Sequence, residues 1–207
     1  GGGRDRGAGD SRPAQCRMSR ADPQDWTFGI GGPGDLAQIA DLVNAAYRGE
    51  GGSAGWTSEV DMVRGPRTTM ELLRKELAES RDAAILLLRE SAGLLACVRV
   101  ERTRGAGGEP ACYIGMLAVR PGVQDRGVGR ALLEHAEDHG RRFGAQVSRM
   151  TVVSVRGSLI AWYERRGYRR TGETEGFPYG DARFGTPLRA DLEFVILEKS
   201  LRPDPVL

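Results

Sequence analysis

The segment Val119-Arg-Pro-Gly-Val-Gln-Asp-Arg-Gly-Val-Gly-Arg-Ala-Leu132 constrains this chain more than any other stretch. An apolar run, Ala111–Val119, ends in it, and a helical pattern running from Val128 to about Phe143 begins in it. Gly122, Gly127 and Gly129 stand around the junction. Glycines let a backbone approach a ligand closely. The first N–H groups of a helix have no intrahelical partner, and the helix dipole adds partial positive charge there. Strand, glycine turn and helix in that order make an anion cradle, and a pyrophosphate can sit in it without a metal. Arg120, Arg126 and Arg130 add positive charge nearby.

Two other glycine patterns compete with this reading. Gly29-Ile-Gly-Gly-Pro-Gly34 matches G-x-G-x-x-G between a strand and a helix. A dinucleotide site also needs a second strand ending in an acidic residue about 20 positions on. Here the helix runs instead into the polar break Gly49–Gly55, so the pattern reads as a turn before a helix capped by Asp35. Gly122 and Gly127 have P-loop separation, but Val128-Gly129 stand where Lys-Ser/Thr is required. That loop has no grip on a γ-phosphate or its magnesium.

Periodicity supplies the rest of the architecture. Trp26–Ile30 reads as a strand, and Leu36, Ile39, Ala40, Val43 and Tyr47 form a helical stripe. A second helix is expected over about Thr68 to Ser80, with Leu72, Leu73 and Leu77 inward. Ala83–Leu88 and Leu94–Val100 suggest a hairpin. Ala111–Val119 is apolar on both faces, as a central strand is. The helix from Val128 carries Ala131, Leu132, His135, Ala136 and His139 along one side. Arg149–Val153 is a strand, Gly157–Arg166 a helix closed by Gly167, and Leu192–Leu197 the last strand. The order β-α-α-β-β-β-α-β-α, a loop or short strand, then β, predicts a single-domain α/β fold, a mixed sheet flanked by helices on both faces.

Composition removes several function classes. The net charge is +2, too small to argue for nucleic acid. No apolar run reaches the roughly 20 residues that span a bilayer, so no membrane partner is expected. Cys16, Cys97 and Cys112 are odd in number and scattered, which fits a reducing cytoplasmic setting better than a disulfide framework. Residues 1–20, rich in Gly and Arg, read as a disordered tail, residues 21–202 as the domain, and residues 203–207 as a short tail. Met18 is a candidate native start.

Gln124-Asp-Arg-Gly-Val-Gly129 after the strand Met-Leu-Ala-Val-Arg-Pro resembles motif A of the GNAT acetyltransferase superfamily, which binds the pyrophosphate of acetyl-CoA. Ile160-Ala-Trp-Tyr-Glu-Arg-Arg-Gly-Tyr168 is similar to the family's second signature, a helix ending in Leu-Tyr-Glu-x-x-Gly-Phe. The resemblance covers roughly residues 26–200 and implies an acyl-CoA N-acyltransferase fold with a mostly antiparallel sheet. It implies acetyl-CoA as co-substrate with no metal, held by Leu117, Ala118, Val119, Gln124, Asp125, Arg126, Gly127, Val128, Gly129, Arg130 and Arg156. Two positions depart from the family pattern. Arg156 replaces a frequent Asn seven residues before the helical tyrosine, and Leu159 replaces a frequent Ala four before it.

The reaction so implied moves acetyl from a thioester to an amine. An alkylammonium with a pKa near 10.4 is free amine in only about one molecule in 10³ at pH 7, a deficit of ~4–5 kcal/mol that a base offsets. Family members often carry a Glu on the fourth strand for this task, but that strand here holds no carboxylate, which leaves Glu101 and Glu59 as candidates. The resemblance assigns the oxyanion donors to the backbone around Leu117 and Val119, and protonation of the departing thiolate to Tyr163. Cys112 lacks an adjacent histidine pattern and reads as inert. His135 and His139 have a metal-compatible spacing with nothing to complete a site.

In this superfamily the first two helices and loops near the C-terminus build the acceptor side. Here Tyr47-Arg-Gly-Glu50, Gly55-Trp-Thr-Ser-Glu-Val-Asp61, Phe177-Pro-Tyr-Gly-Asp181 and Phe184-Gly-Thr-Pro combine aromatics with carboxylates. The connection from Gly167 to Asp191, about 25 residues, is long for a structureless loop and is expected to fold over the site. Carboxylates beside rings suit a cationic or aromatic amine. The expectation is therefore a small-molecule amine acceptor, with a homodimer left open. The alternatives are a protein or peptide N-acetyltransferase and a non-catalytic acyl-CoA-binding module.

Overall fold

The computed structural model describes residues 25–49, 58–181 and 184–203. The expected tail over residues 1–20 lies outside them, as do Cys16, Glu50 and Gly55–Thr57. The strands are β1 (Thr27–Ile30), β2 (Val63–Arg64), β3 (Ala83–Glu90), β4 (Gly93–Arg104), β5 (Pro110–Val119), β6 (Val147–Val153), β7 (Arg169–Gly176), β8 (Thr186–Pro187) and β9 (Glu193–Ser200). The α-helices are α1 (Leu36–Arg48), α2 (Met70–Glu79), α3 (Val128–Arg142) and α4 (Gly157–Glu164). Seven strands form one sheet in the order β1-β3-β4-β5-β6-β9-β7, and β2 and β8 form a separate two-stranded ribbon. Every pairing in the large sheet is antiparallel except β5 with β6.

Local chemistry explains the elements. In α1 the predicted stripe Leu36, Ile39, Ala40, Val43 and Tyr47 is buried, and Gly49 ends the helix at φ 66 with its N–H on the Ala45 carbonyl. Asp35 does not cap α1 through its side chain; its carboxylate instead accepts the Gly32 N–H at 2.8 Å and pairs with Arg89. Gly31 donates its N–H to the Ile85 carbonyl, so the G-x-G-x-x-G segment is a strand end and turn. Thr69 caps α2 by accepting from the Leu72 N–H at 3.1 Å. Leu73 is fully inside, whereas Leu72 and Leu77 are half-buried.

Helices cover both faces of the sheet. On one face, Leu132, Leu133 and Ala136 of α3 and Ile160 and Tyr163 of α4 pack on Leu86, Val98, Val100, Ile114 and Leu197. On the other, α1 and Leu73 of α2 pack on Ile85, Leu87, Cys97 and Ala118. Each fully buried aliphatic side chain contributes about 1.5–3 kcal/mol. The inner face of α3 is rotated from the expected stripe. It comprises Val128, Gly129, Leu132, Leu133, Ala136, Glu137 and Gly140, leaving His135 and His139 half-buried beside it. Gly140 is there because a Cβ would sit 2.7 Å from the Cβ of Cys112.

The stretch left as a loop or short strand forms β7, an eight-residue strand on β9. Its residues are almost all exposed, so the apolar alternation that marks a strand is missing from its sequence. The ribbon of β2 and β8 joins Val63 to Pro187 and Arg64 to Thr186, which ties the segment before α2 to the segment before β9.

Candidate active site

Strands β5 and β6 pair only over Ala111–Val147, Cys112–Ser148 and Tyr113–Arg149, and then separate. Two irregularities drive the split. Met116 has φ 53, a left-handed conformation that non-glycine residues rarely adopt, and the register of β4 against β5 shifts between Cys97 and Arg99. Beyond Tyr113 the two strands present backbone groups to each other across a gap. A cavity of about 400 Å³ fills the gap, lined by Ile114–Leu117 from β5, Met150–Val153 from β6, and Leu159 and Tyr163 from α4. It continues to Tyr47, Arg48, Glu59, Val63, Arg67 and Arg156, and to Phe177, Pro178 and Phe184 from the C-terminal segment.

Three tyrosines reach the cavity. Tyr163 lies in α4 with its ring edge-on to Trp162 and Tyr168, and its hydroxyl makes no hydrogen bond among the described residues. Burial, reinforced by nearby Tyr47, holds its phenol far above the ordinary value, so it stays a neutral donor. Tyr47 donates to the Leu117 carbonyl at 3.2 Å, and burial pushes its pKa up to about 12. The hydroxyls of Tyr113 and Thr151 are hydrogen-bonded at 2.9 Å and bridge β5 to β6 at the closed end of the split. The Tyr113 ring lies over Gly115, where an added Cβ would come within 2.8 Å of it.

An ion cluster adjoins Tyr47 in the cavity. Glu59 is held between Arg48 at 2.9 Å and Arg156 at 3.5 Å, and the three side chains are 12%, 7% and 6% exposed. Arg48 also donates to the Gly65 carbonyl through Nε at 2.7 Å, while its Nη2 is buried with no hydrogen-bond partner. Arg67 stands with its guanidinium 5.5 Å from the centre of the Tyr47 ring. Glu175 reaches the lining from the exposed strand β7.

The structure brings some predicted site residues together and disperses others. Glu59, Arg156, Leu117 and Tyr163 share the cavity. Glu101 does not line it; the Ser80 hydroxyl donates to its carboxylate at 2.5 Å, and Arg99 pairs with it at 2.9 Å. Ala118 and Val119 pair with Cys97 and Ala96 of β4 and do not line the cavity either. In the glycine segment, Gln124–Arg126 forms a 3-10 turn and Gly127 opens α3 at φ 80. The Gln124 side chain is outside the described residues. Arg126 forms a two-point pair with Glu90 at 2.7 and 3.2 Å, and Arg130 pairs with Glu134 at 2.8 Å. Arg120 donates to the Leu94 carbonyl. Those arginines are therefore already engaged, and the anion-binding capacity of the turn rests on the backbone N–H groups of Val128, Gly129 and Arg130. Asp125 is exposed in the same turn.

The remaining candidates sit elsewhere. Burial pushes the thiols of Cys97 and Cys112 up to about 12, so both are protonated at neutral pH. His135 stacks on Phe28 with ring centres 4.3 Å apart, and His139 meets Phe143 edge-on. Burial, then Arg142, lowers both imidazoles from their ordinary value. Asp181 and Tyr179 are described but do not line the cavity. Sequence reasoning missed Arg67, Glu175 and Tyr113 as cavity residues. Their signal is three-dimensional, since β5, β7 and the segment before α2 are distant in the chain. No described helix is long and apolar enough to cross a membrane.

Comparison with known proteins places this geometry. The mycothiol acetyltransferase of Propionibacterium freudenreichii subsp. shermanii is 28% identical over 111 residues, 53% of this chain and 36% of that protein. The chain thus aligns with little more than a third of that relative's length. The ribosomal-protein-S18-alanine N-acetyltransferase from Escherichia coli superposes with a TM-score of 0.58 at 16% identity, covering 88% of this chain and 99% of that one. A Salmonella typhimurium protein solved with its cofactor acetyl-CoA gives 0.57 at 19% identity, covering 88% and 97%. A spermidine N-acetyltransferase chimera with Vibrio cholerae sequence gives 0.60 at 13%, covering 86% and 96%. At those identities the structures show a shared fold. The family model for the acetyltransferase (GNAT) family matches residues 36–168, well over half of the chain and inclusive of both motif segments, and this chain belongs to that family.

Proposed function

We propose that the chain transfers the acetyl group of acetyl-CoA to the amine of a small molecule by direct attack within a ternary complex. The observation that carries this reading is the split between β5 and β6, which runs into a cavity that holds both the tyrosines and the ion cluster. The free backbone edges of the split suit an amide-containing arm such as pantetheine, and the Gly127 turn suits its pyrophosphate. Bound acetyl-CoA supplies an activated thioester. Backbone N–H groups near Leu117 serve as the oxyanion donors in this reading.

The chain's own residues have distinct tasks in this reading. Tyr163 donates a hydrogen bond to the departing sulfur and keeps its proton, because burial makes the phenol a weaker acid than a thiol. Tyr47 fixes the Leu117 carbonyl and so the orientation of that peptide. Glu59 has both oxygens engaged by guanidinium groups, so it organises Arg48 and Arg156 rather than carrying protons. The exposed carboxylate of Glu175 takes the ammonium proton to solvent.

The acceptor end supports a small molecule. Phe177 is buried and stacks on Phe194 with ring centres 5.5 Å apart, and Val63 of the β2–β8 ribbon packs in the same cluster and lines the cavity. A peptide acceptor requires an open groove. Initial rates at varied acetyl-CoA and amine test the reading. Intersecting double-reciprocal lines with small amines are expected. Parallel lines would indicate a covalent acetyl-enzyme, and turnover confined to peptides would overturn the small-molecule assignment.

A further inference from the structure

Among the described residues, the cations that line the acceptor end outnumber the carboxylates. Arg48, Arg67 and Arg156 enter the cavity, and Glu59 is the carboxylate among them that is buried with them; Glu175 is exposed at the edge. Glu59 already serves two of the arginines. Arg48 is engaged by Glu59 and by the Gly65 carbonyl, and its remaining Nη2 is buried away from solvent. Arg67 makes no ion pair among the described residues, and its guanidinium lies by the Tyr47 ring on the cavity wall. A guanidinium edge such as that of Arg67 matches a carboxylate in two-point geometry. Around these cations the wall is apolar, built of Met116, Phe177, Phe184 and Phe194.

We propose that the acceptor is an amino-carboxylate with an apolar or aromatic body, its carboxylate docking on Arg67. This deepens the reading of the cavity as the acceptor site and rests on it. The carboxylate replaces the missing counter-charge, the body lies on the phenylalanines, and the amine is left to face the thioester. The same arrangement selects against polyamines, whose added positive charge meets three guanidinium groups. It reverses the cationic preference that the aromatic and acidic residues suggest in sequence.

The test has a binding arm and a turnover arm. In the first, 3-phenylpropanoate and its neutral analogue 3-phenylpropan-1-ol are titrated calorimetrically into the full chain saturated with CoA. The acid is expected to bind about 30-fold more tightly, a fold-change typical of a charge-assisted contact. Equal affinities overturn the proposal, whatever the enzyme acetylates. In the second arm, phenylalanine and leucine are compared with their amides as acceptors. The acids are expected to show kcat/KM about 30-fold higher. Arg67→Gln is expected to collapse that ratio toward one through KM, with Arg67→Lys intermediate and thermal melting of both variants near wild type. Amides acetylated as well as acids overturn the carboxylate assignment while leaving the small-amine reading intact. Tight binding of the acid with no small amine acetylated supports the carboxylate site and overturns the small-amine reading. A preference for succinyl-CoA over acetyl-CoA, without preference for acid acceptors, would assign the arginines to the acyl donor and overturn the proposal.

Discussion

Replacing Tyr163 by phenylalanine removes one oxygen from the cavity wall and nothing else. The hydroxyl has no partner among the described residues, so its loss orphans no protein group and should cost under about 0.5 kcal/mol of stability. In the proposed reaction its work is in the transition state. Burial holds the phenol neutral, so it can donate to a sulfur gaining negative charge but is too weak an acid to surrender its proton. A hydrogen bond to a charged acceptor is worth ~1.5–3 kcal/mol, which converts to roughly a 10- to 150-fold fall in turnover. That is at the low end of the 10²–10⁴ range of full proton transfer. The assay is CoA thiol release at saturating substrates, with acetyl-CoA affinity measured separately by calorimetry. Turnover should fall within that range while affinity stays within about threefold. Turnover within twofold of wild type, or equal losses in turnover and affinity, would refute the assignment. A pH profile adds a check: no descending limb from this tyrosine should appear up to about pH 10, because its folded pKa lies above the ordinary value.

Four further outcomes follow from the same geometry. Glu175→Gln should lower kcat/KM about tenfold near pH 7, and the deficit should shrink toward pH 10, where about a quarter of an amine of pKa 10.4 is already free; a pH-independent deficit would remove Glu175 from proton transfer. Gly127→Ala forces a Cβ into a φ of 80 with open space around it, so it should destabilise by only about 1 kcal/mol while raising the acetyl-CoA KM several-fold; an unchanged KM would detach the turn from the pyrophosphate. Glu137 is buried, accepts from Tyr168 at 3.0 Å and pairs with Lys199 at 2.7 Å, so Glu137→Ala should cost about 3–5 kcal/mol in urea unfolding, and a loss under 1 would contradict the account. Tyr47, Tyr163 and Tyr168 all have folded pKa values raised above about 10, so the stability they contribute is complete below pH 10 and is lost as pH rises beyond it, by up to ~1.4 kcal/mol per tyrosine per pH unit. Urea unfolding free energies that stay flat from pH 9 to 11 would contradict that sign.

Local signals carried most of the fold. The stripe of α1, the Thr68–Ser80 helix, the β3–β4 hairpin and the strand–glycine–helix junction each depend on residues close in sequence. Strand β7 escaped because its side chains face solvent on an edge, where no apolar alternation is needed. The α3 face was misaligned because His135 and His139 are amphipathic, while the buried Glu137 and Gly140 look polar or neutral in sequence. Glu137 goes inside because Lys199 and Tyr168 meet it there, and nothing near position 137 announces either partner.

The site divides the same way. The positions of Tyr163 on α4 and of the Gly127 turn at the start of α3 were legible because each is a short motif on one element. Glu101 lies outside the cavity, and its pairing with Arg99 and Ser80 depends on strand register and on where α2 ends, which no local pattern announces. The positive charge counted at the glycine turn is largely spent on Glu90 and Glu134. The positive charge that lines the cavity, from Arg48, Arg67 and Arg156, comes from three separate segments and is visible only once they are assembled.

The most direct measurement incubates the protein with acetyl-CoA and a panel of amino acids, amino-acid amides, arylamines, polyamines, aminoglycosides and short peptides. CoA thiol release is followed, and each product is confirmed by mass. The account predicts acetylated small-molecule products, strongest among amino acids with apolar or aromatic side chains. Acetyl-CoA binding without product from any small amine would contradict it.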